Sequence, residues 1–254
     1  KMLYEDCSLT EISECLGVSD ETIIAGINKE LGINVSNMQS AREALEDTHY
    51  QRLQHLIDTK FTDDRLLLLL DCFESRNDDE IRSMVTDNAD IPTIFEYVLG
   101  ILWYKASERH GKILDYMKLS LDADLLPKTH AAGGEADIVY EYETTEVYPE
   151  HTLLLEATLA DSTNQRRMEM EPVSRHLGDY RVRFNNPFDY SLFVSTYLDK
   201  NVISDFRYRK IIPYTRDEET ITGMKIISMD TDSLKKIIEN KVKYKYLYKV
   251  FDKY

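Results

Sequence analysis

The sequence predicts an α/β fold, a mixed sheet flanked by helices, preceded by a small all-helical region with a helix-turn-helix outline. Two observations carry that prediction. Through the first seventy-odd residues the apolar positions recur at helical spacing. Beyond them, stretches of helical period alternate with short, nearly continuous apolar runs of strand length.

In chain order, Leu9, Ile12, Cys15 and Leu16 form one apolar stripe, and Gly17-Val18-Ser19 makes a turn. Ser19 is the expected N-cap of a second helix that turns Ile23, Ile24, Ile27 and Leu31 inward and closes at Gly32. Helix, glycine-containing turn, helix is the outline of a DNA-reading motif. Asp20 and Glu21, however, stand where such a helix presents Arg, Lys, Asn or Gln. A packing or linker module and a DNA contact both stay open for these residues. From Met38 to about Arg76 the pattern is helical, with Leu45, Leu53, Leu56 and Ile57 leading into the run Leu66 to Leu70. The acidic stretch Asn77-Asp78-Asp79-Glu80 is the expected boundary between a helical region, 1–78, and a second domain, 79–254.

In the second region a long helix is predicted over 92–118, with Pro92 in its first turn and Phe95, Val98, Leu99, Leu102 and Trp103 along one face. Gly133-Gly134-Glu135-Ala136-Asp137-Ile138-Val139-Tyr140 reads as a turn entering a strand. His151 to Leu159 is a second strand, apolar enough to be buried on both faces. A helix from Asn164 to Leu177 is interrupted by Pro172. There follow a strand at Tyr190–Leu198, a helix at Val202–Lys210, a strand at Lys225–Met229, and a final helix rich in Lys and Tyr that Asp230-Thr231-Asp232-Ser233 caps.

Composition narrows the class. At 254 residues the chain suffices for one large domain or two small ones. No apolar run approaches the roughly 20 residues of a membrane helix, and no basic-then-apolar leader opens the chain. Membrane attachment is therefore not expected. Lys1 in place of an initiating methionine leads us to expect a piece of something longer. Cys7, Cys15 and Cys72 are scattered, which fits reduced thiols and a cytoplasmic location. The balance of 31 basic against 46 acidic residues, a net of −15, opposes self-sufficient binding to nucleic acid, because phosphate contact relies on Lys and Arg.

Four acids carry the candidate chemistry. Asp137 follows the Gly-Gly turn, Glu156 lies inside the most apolar strand, Glu169 is on the following helix, and Glu96 is on the long helix before them. A carboxylate in an apolar strand is costly unless paired or bound to a cation. Two carboxylates about 4 Å apart repel by roughly 4 kcal/mol at an effective dielectric near 20. Such a cluster is thus unfavourable when empty and stable around a hard divalent cation, and all-oxygen ligation selects Mg²⁺ or Mn²⁺ over zinc. The opposing reading pairs Glu156 with Arg166 or Arg167 in a core salt bridge. Spacing does not choose between them.

The residues that carry these acids resemble a known family. Gly-Gly-Glu-Ala-Asp-Ile (133–138), Leu-Leu-Glu-Ala-Thr-Leu (154–159), Gln-Arg-Arg-Met-Glu-Met-Glu-Pro-Val-Ser-Arg-His-Leu (165–177) and Ile-Pro-Thr-Ile-Phe-Glu-Tyr-Val-Leu-Gly (91–100) look like signatures of the AlwI restriction endonucleases. The resemblance covers roughly 80–254. It implies the PD-(D/E)xK nuclease fold, with a helix–strand–strand–strand–helix–strand core, and Mg²⁺-dependent hydrolysis of DNA phosphodiester bonds, as in type IIS restriction or nicking enzymes. It implies metal-binding acids at Asp137 and Glu156, with Glu96 completing the site. It implies double-stranded DNA as substrate, a recognition domain upstream of this chain, and a transient homodimer or a second cleaving subunit for double-strand cuts. The motif's usual lysine, two residues past the second acid, is absent, since that position is Thr158. Glu169 is expected to take over its task, with Gln165, four residues before it on the same helix face, as the weaker candidate.

Other residues invite a role. His176 reads either as a phosphate contact or as a histidine satisfied by helix-end carbonyls. Arg166, Arg167 and Arg175 either touch phosphates or balance Glu169 and Glu171. The segment Lys235 to Lys253, with Tyr244, Tyr246 and Tyr248, is compatible with backbone binding and with an ordinary solvated helix face. Trp103 is core. Two competing functions remain. One is a non-catalytic DNA-binding or interaction protein that uses the N-terminal helices, with the acids paired to arginines. The other is a metal-dependent phosphatase or nucleotide hydrolase, for which no Gly-rich phosphate cradle is present.

Overall fold

A computed structural model describes residues 17–130 and 134–254. By internal contacts the chain divides into two compact units, Lys1–Phe61 with Leu121–Leu126, and Thr62–Ser120 with Pro127–Tyr254.

The first unit holds α1 (Asp20–Leu31) and α2 (Met38–Lys60). Ser19 precedes α1 in extended conformation, and Gly32 closes it at φ 66°, a left-handed position that glycine occupies without a Cβ penalty. Ile27 is buried against Ala41 and Leu45, with Ile23, Ile24 and Leu31 half-buried around them. The Asn28 side chain accepts from the Val35 amide (2.8 Å) and donates to the Val35 carbonyl (2.9 Å), fixing the connection to α2. The stripe Leu9 to Leu16, the first half of the helix-turn-helix outline, lies outside the described residues.

The second unit begins with α3 (Asp63–Ser75) and α4 (Asp78–Met84). The acidic stretch 77–80 therefore starts a helix inside this unit; three acids in a first turn favour the positive end of the helix dipole. α5 (Ile91–Ala106) is capped by the Asp90 side chain, which accepts from the Thr93 amide at 2.9 Å, and Pro92 sits in its first turn. It stops at Ala106, well short of 118. Glu108, Arg109 and Gly111 take positive φ (55°, 60° and 69°), which a right-handed helix cannot continue through, and only the single turn α6 (Ile113–Tyr116) follows. Nearly every residue of α5 is buried, Glu96 included.

Then come the short strands β1 (Ser120–Leu121) and β2 (Pro127–Thr129), followed by β3 (Ile138–Tyr142), β4 (His151–Thr158), α7 (Ser162–Met168), α8 (Met170–Phe184), β5 (Tyr190–Ser195) and α9 (Lys200–Tyr208). A hairpin of β6 (Tyr214–Arg216) and β7 (Glu219–Ile221) leads to β8 (Ile226–Asp230), α10 (Thr231–Glu239) and α11 (Tyr244–Phe251). The main sheet has the order β3-β4-β5-β8, antiparallel between β3 and β4 and parallel across the other two pairs. It is mixed and flanked by helices, as the sequence predicts. β1 and β2 stand outside it, so two of its strands, rather than three, precede the crossover helix α8. One face of the sheet packs Leu154, Phe193 and Ile226 against Val173 and Leu177 of α8 and Val202 and Phe206 of α9. The Lys- and Tyr-rich tail is two helices, divided where Lys241 takes φ 49°.

At the start of β4 lies an aromatic nucleus. Trp103, Tyr142, His151, Tyr190 and Tyr244 are each at most 2% exposed. The Trp103 indole donates to the Tyr142 hydroxyl at 2.9 Å, which also bonds the Ser107 hydroxyl at 2.6 Å. Tyr142 stacks on Tyr244 with ring centres 3.8 Å apart. His151 gives its Nδ1 proton to the Pro149 carbonyl (2.7 Å), so its Nε2 accepts from the Tyr244 hydroxyl, which in turn accepts from Tyr190 at 2.7 Å. Burial holds His151 below the usual imidazole range, in keeping with a neutral ring.

Candidate functional site

At the far end of β4 the apolar run gives way to acids. The antiparallel register pairs Ile138 with Leu155, and one step outward the same register sets Asp137 opposite Glu156. Directly opposed residues of an antiparallel pair point to the same face of the sheet. That face is the one carrying Leu154, two residues before Glu156. One Asp137 carboxylate oxygen, Oδ2, accepts from the Ala157 amide at 2.8 Å, which ties the acid to the strand beside Glu156.

Glu169 reaches the same place through a break in the helix. Pro172 has no N–H for the Met168 carbonyl, and its ring crowds that carbonyl. The helix therefore ends at Met168, Glu169 takes φ −113°, and Pro172 falls in the first turn of α8, where no amide donor is required. Glu169 Oε1 accepts from the Thr158 hydroxyl at 2.7 Å. Because Thr158 Oγ1 already accepts from the Ala160 amide (3.1 Å), its single proton is committed to Glu169. Glu96, from α5, is the fourth acid. It is 7% exposed, and its Oε2 is buried with no hydrogen-bond partner.

These four acids line one groove of about 640 Å³ together with Thr158, His176 and Arg76. Their electrostatics agree with the geometry. Burial first, then the charges of Asp137, Asp90, Glu156 and Glu169, pushes Glu96 up to about 9. Burial and then the Glu156 charge hold Asp137 well above the usual carboxylate range, against the pull of the Ala157 amide. Burial, followed by Glu169, does the same to Glu156. Burial also raises Glu169, against its Thr158 bond and the pull of His176. Burial thus leads in all four, with mutual repulsion added at Glu96, Asp137 and Glu156, and all four lean toward the protonated form. Among the described residues, no three His, Cys, Asp or Glu side chains stand close enough together, as placed, to hold a metal ion. Asp137 Oδ2, Glu156 Oε1 and Glu169 Oε1 each have a partner within the protein. By chemistry the donors suit a hard divalent cation: all are carboxylates, Glu96 and Glu156 are buried, Asp137 and Glu169 are half-buried, and Glu96 Oε2 has no partner.

Four of the five predicted site residues thus meet; Gln165 does not. It is wholly buried, its amide nitrogen bonds Ala160 O (3.2 Å), Ser195 Oγ (3.1 Å) and Tyr197 O (2.6 Å), and its oxygen accepts from the Asp199 amide at 2.8 Å. It joins α7 to the end of β5 and does not line the groove. His176 is not satisfied by helix-end carbonyls, and it lines the same groove as the acids. It lies inside α8, and its Nδ1 contacts Glu156 Oε1 at 2.8 Å. Burial and then Arg175 lower the His176 pKa, while burial and then Glu169 raise that of Glu156. Glu156 pairs with neither Arg166 nor Arg167. Arg166 lies 3.8 Å from Asp199, and Arg175 pairs with Glu171 at 3.0 Å. The only sequence signal for His176 was its spacing, seven residues or two helical turns after Glu169.

The model of a protein family described as AlwI restriction endonuclease matches residues 3–237. Among solved structures, the chain is similar to the small subunit of the heterodimeric restriction endonuclease R.BspD6I, with a TM-score of 0.52 at 20% sequence identity over 73% of this chain and 86% of that one. At that identity the likeness is one of fold. No curated protein matches the chain.

Proposed function

The chain belongs to the AlwI restriction endonuclease family, and from that premise we propose that its acidic groove hydrolyses DNA phosphodiester bonds with Mg²⁺, or Mn²⁺ in its place. The observation that carries this reading is Asp137 opposite Glu156 on adjacent strands, with Glu96 and Glu169 lining the same groove. In this reading the fold is a PD-(D/E)xK nuclease fold. Its support is the order of opening helix α5, antiparallel acid-bearing strands β3 and β4, crossover helix α8 and parallel strand β5.

Asp137, Glu156 and Glu96 would hold the cation. When bound, it supplies positive charge beside the phosphate and acidifies water. The chain's own residues do the rest. The Ala157 amide fixes Asp137 by one oxygen, and His176 fixes Glu156 by one, so each carboxylate presents its other oxygen in a set direction. Thr158, in the position of the missing lysine, fixes Glu169 by Oε1 and leaves Oε2 as acceptor for the proton of the attacking water. A carboxylate with a raised pKa suits that task near neutral pH. The water oxygen bonds to phosphorus, the opposite bond to the sugar oxygen breaks, and solvent protonates the leaving oxygen. A divalent cation bound there would offset the mutual repulsion that adds to burial in raising Glu96, Asp137 and Glu156.

One groove cuts one strand. That the fold neighbour is a subunit of a heterodimeric restriction enzyme supports a second cleaving subunit, or a second copy, for double-strand cuts. The reading also takes the protein as cytoplasmic; among the described residues no helix is long and apolar enough to cross a membrane. The test is incubation with supercoiled plasmid and Mg²⁺, with a chelator control. Nicked or linear product that Asp137→Asn and Glu156→Gln both lose supports the assignment. Product that persists with chelator or in both variants refutes it.

A further inference from the structure

We propose that Arg76 grips the phosphate of the bound nucleic acid strand, supplying the permanent positive charge that the groove otherwise lacks; the proposal rests on the nuclease reading above. Among the described residues, Arg76 is the one lysine or arginine that lines the groove, together with Glu96, Asp137, Glu156, Asp161 and Glu169. It forms no ion pair with any described residue, so its charge is not committed within the protein.

Its placement is built. The backbone of Arg76 closes α3 in the left-handed conformation at φ 55°, its amide bonded to the carbonyls of Cys72 and Phe73. Its side chain reaches 83 residues along the sequence to donate from Nη2 to the Leu159 carbonyl, the residue after Thr158. One of five guanidinium N–H groups is thereby used to aim the group at the end of β4, beside Glu156. The others stay in a planar fork that matches two phosphate oxygens. Among the described lining residues, Arg76 offers an entering phosphodiester its one permanent cation.

A merely structural Arg76 would clamp α3 to β4 through the Leu159 bond, and would act on stability alone. The two roles separate in initial rates of plasmid nicking by the full chain, measured over about 50 to 200 mM salt, a range in which each lost phosphate contact flattens the logarithmic salt dependence by about one unit. Arg76→Ala is expected to raise KM about tenfold with kcat nearly unchanged, and to flatten the slope of log KM against log salt by about one. Arg76→Lys keeps the charge and is expected to keep the slope, with an intermediate KM because an ammonium cannot fork. Unchanged KM and slope in Arg76→Ala, with only a lower melting temperature, would overturn the proposal. If Arg76→Ala does not fold, Arg76→Lys decides: a wild-type KM and slope would overturn it equally. A wild-type chain that leaves plasmid intact with both Mg²⁺ and Mn²⁺ would instead sink the nuclease reading, and this proposal with it.

Discussion

The two ends of β4 bury polar groups in opposite ways. At its start, His151, Tyr190, Tyr244, Tyr142 and Trp103 enclose hydroxyl, imidazole and indole groups, and their hydrogen bonds form two sets, Tyr190 through Tyr244 and His151 to the Pro149 carbonyl, and Trp103 through the Tyr142 hydroxyl to Ser107. At its end, Glu156, Asp137, Glu96 and Glu169 crowd carboxyls with too few donors, and Glu96 Oε2 has none. The first arrangement is complete and rigid, since a fully satisfied polar network in a low dielectric specifies one packing. The second is incomplete within the protein, and incompleteness of that kind marks a place that something else must finish. A single strand thus joins a satisfied structural nucleus to the groove proposed as the active site.

Substitutions should expose that contrast, the largest first. Asp137→Asn and Glu156→Gln are expected to lower plasmid cleavage by at least about 10³-fold, near 4 kcal/mol of barrier, yet to melt no lower than wild type, because each removes a member of a repelling cluster. A large fall in melting temperature for both would make the acids structural and erase the contrast. At the other end, Tyr142→Phe leaves the Trp103 N–H and the Ser107 hydroxyl buried without their partner, and should cost about 1–3 kcal/mol in urea unfolding with cleavage per folded molecule unchanged.

Thr158→Val keeps shape and removes the hydroxyl that fixes Glu169. We expect kcat about tenfold lower, recovered by Thr158→Ser, with KM held; no recovery by serine would take Thr158 out of the mechanism. The smallest effect is in pH. The Glu96 carboxyl is raised from 4.5 to about 9, so between those values the folded chain keeps a proton that the unfolded chain releases. Its stabilising contribution is complete below about pH 4.5 and is lost as pH climbs through about 9. Melting temperature without metal should therefore fall across that window. Glu96→Gln should flatten the fall, and Mg²⁺ should offset it most at the alkaline end. A profile that is identical in wild type and Glu96→Gln would show that Glu96 has no such role.

Much of this was legible in the residues. A carboxylate in Leu153-Leu154-Leu155-Glu156 cannot be indifferent to its surroundings, and a Gly-Gly turn before Asp137 announces a strand whose first acid lies near that carboxylate. What escaped depends on angles that spacing does not encode. Gln165 and Glu169 are four apart, which on one continuous helix puts them on one face. Pro172 ends α7 at Met168; Glu169, its amide still bonded to the Gln165 carbonyl, becomes the joint to α8 and reaches Thr158 of β4, while Gln165 is held at the end of β5. The β6–β7 hairpin turns at Asp217 and Glu218, without the Asn-Gly or Asp-Gly pair that signals a tight turn. Arg76 lies on the other side of an acidic stretch that the sequence marks as a boundary, so only the chain's return past α3 could bring it to β4.

The cross-strand register has one more consequence, for the lengths of chain that this fold tolerates. Deleting or inserting a single residue within 138–142 or 151–156 would rotate one acid of the Asp137–Glu156 pair to the opposite face, because side chains alternate at every step. The connection 143–150 is free of that constraint: its length can drift while the pairing beyond it stays in phase. Natural variation in length should accumulate in that connection and stop abruptly where the ladder starts.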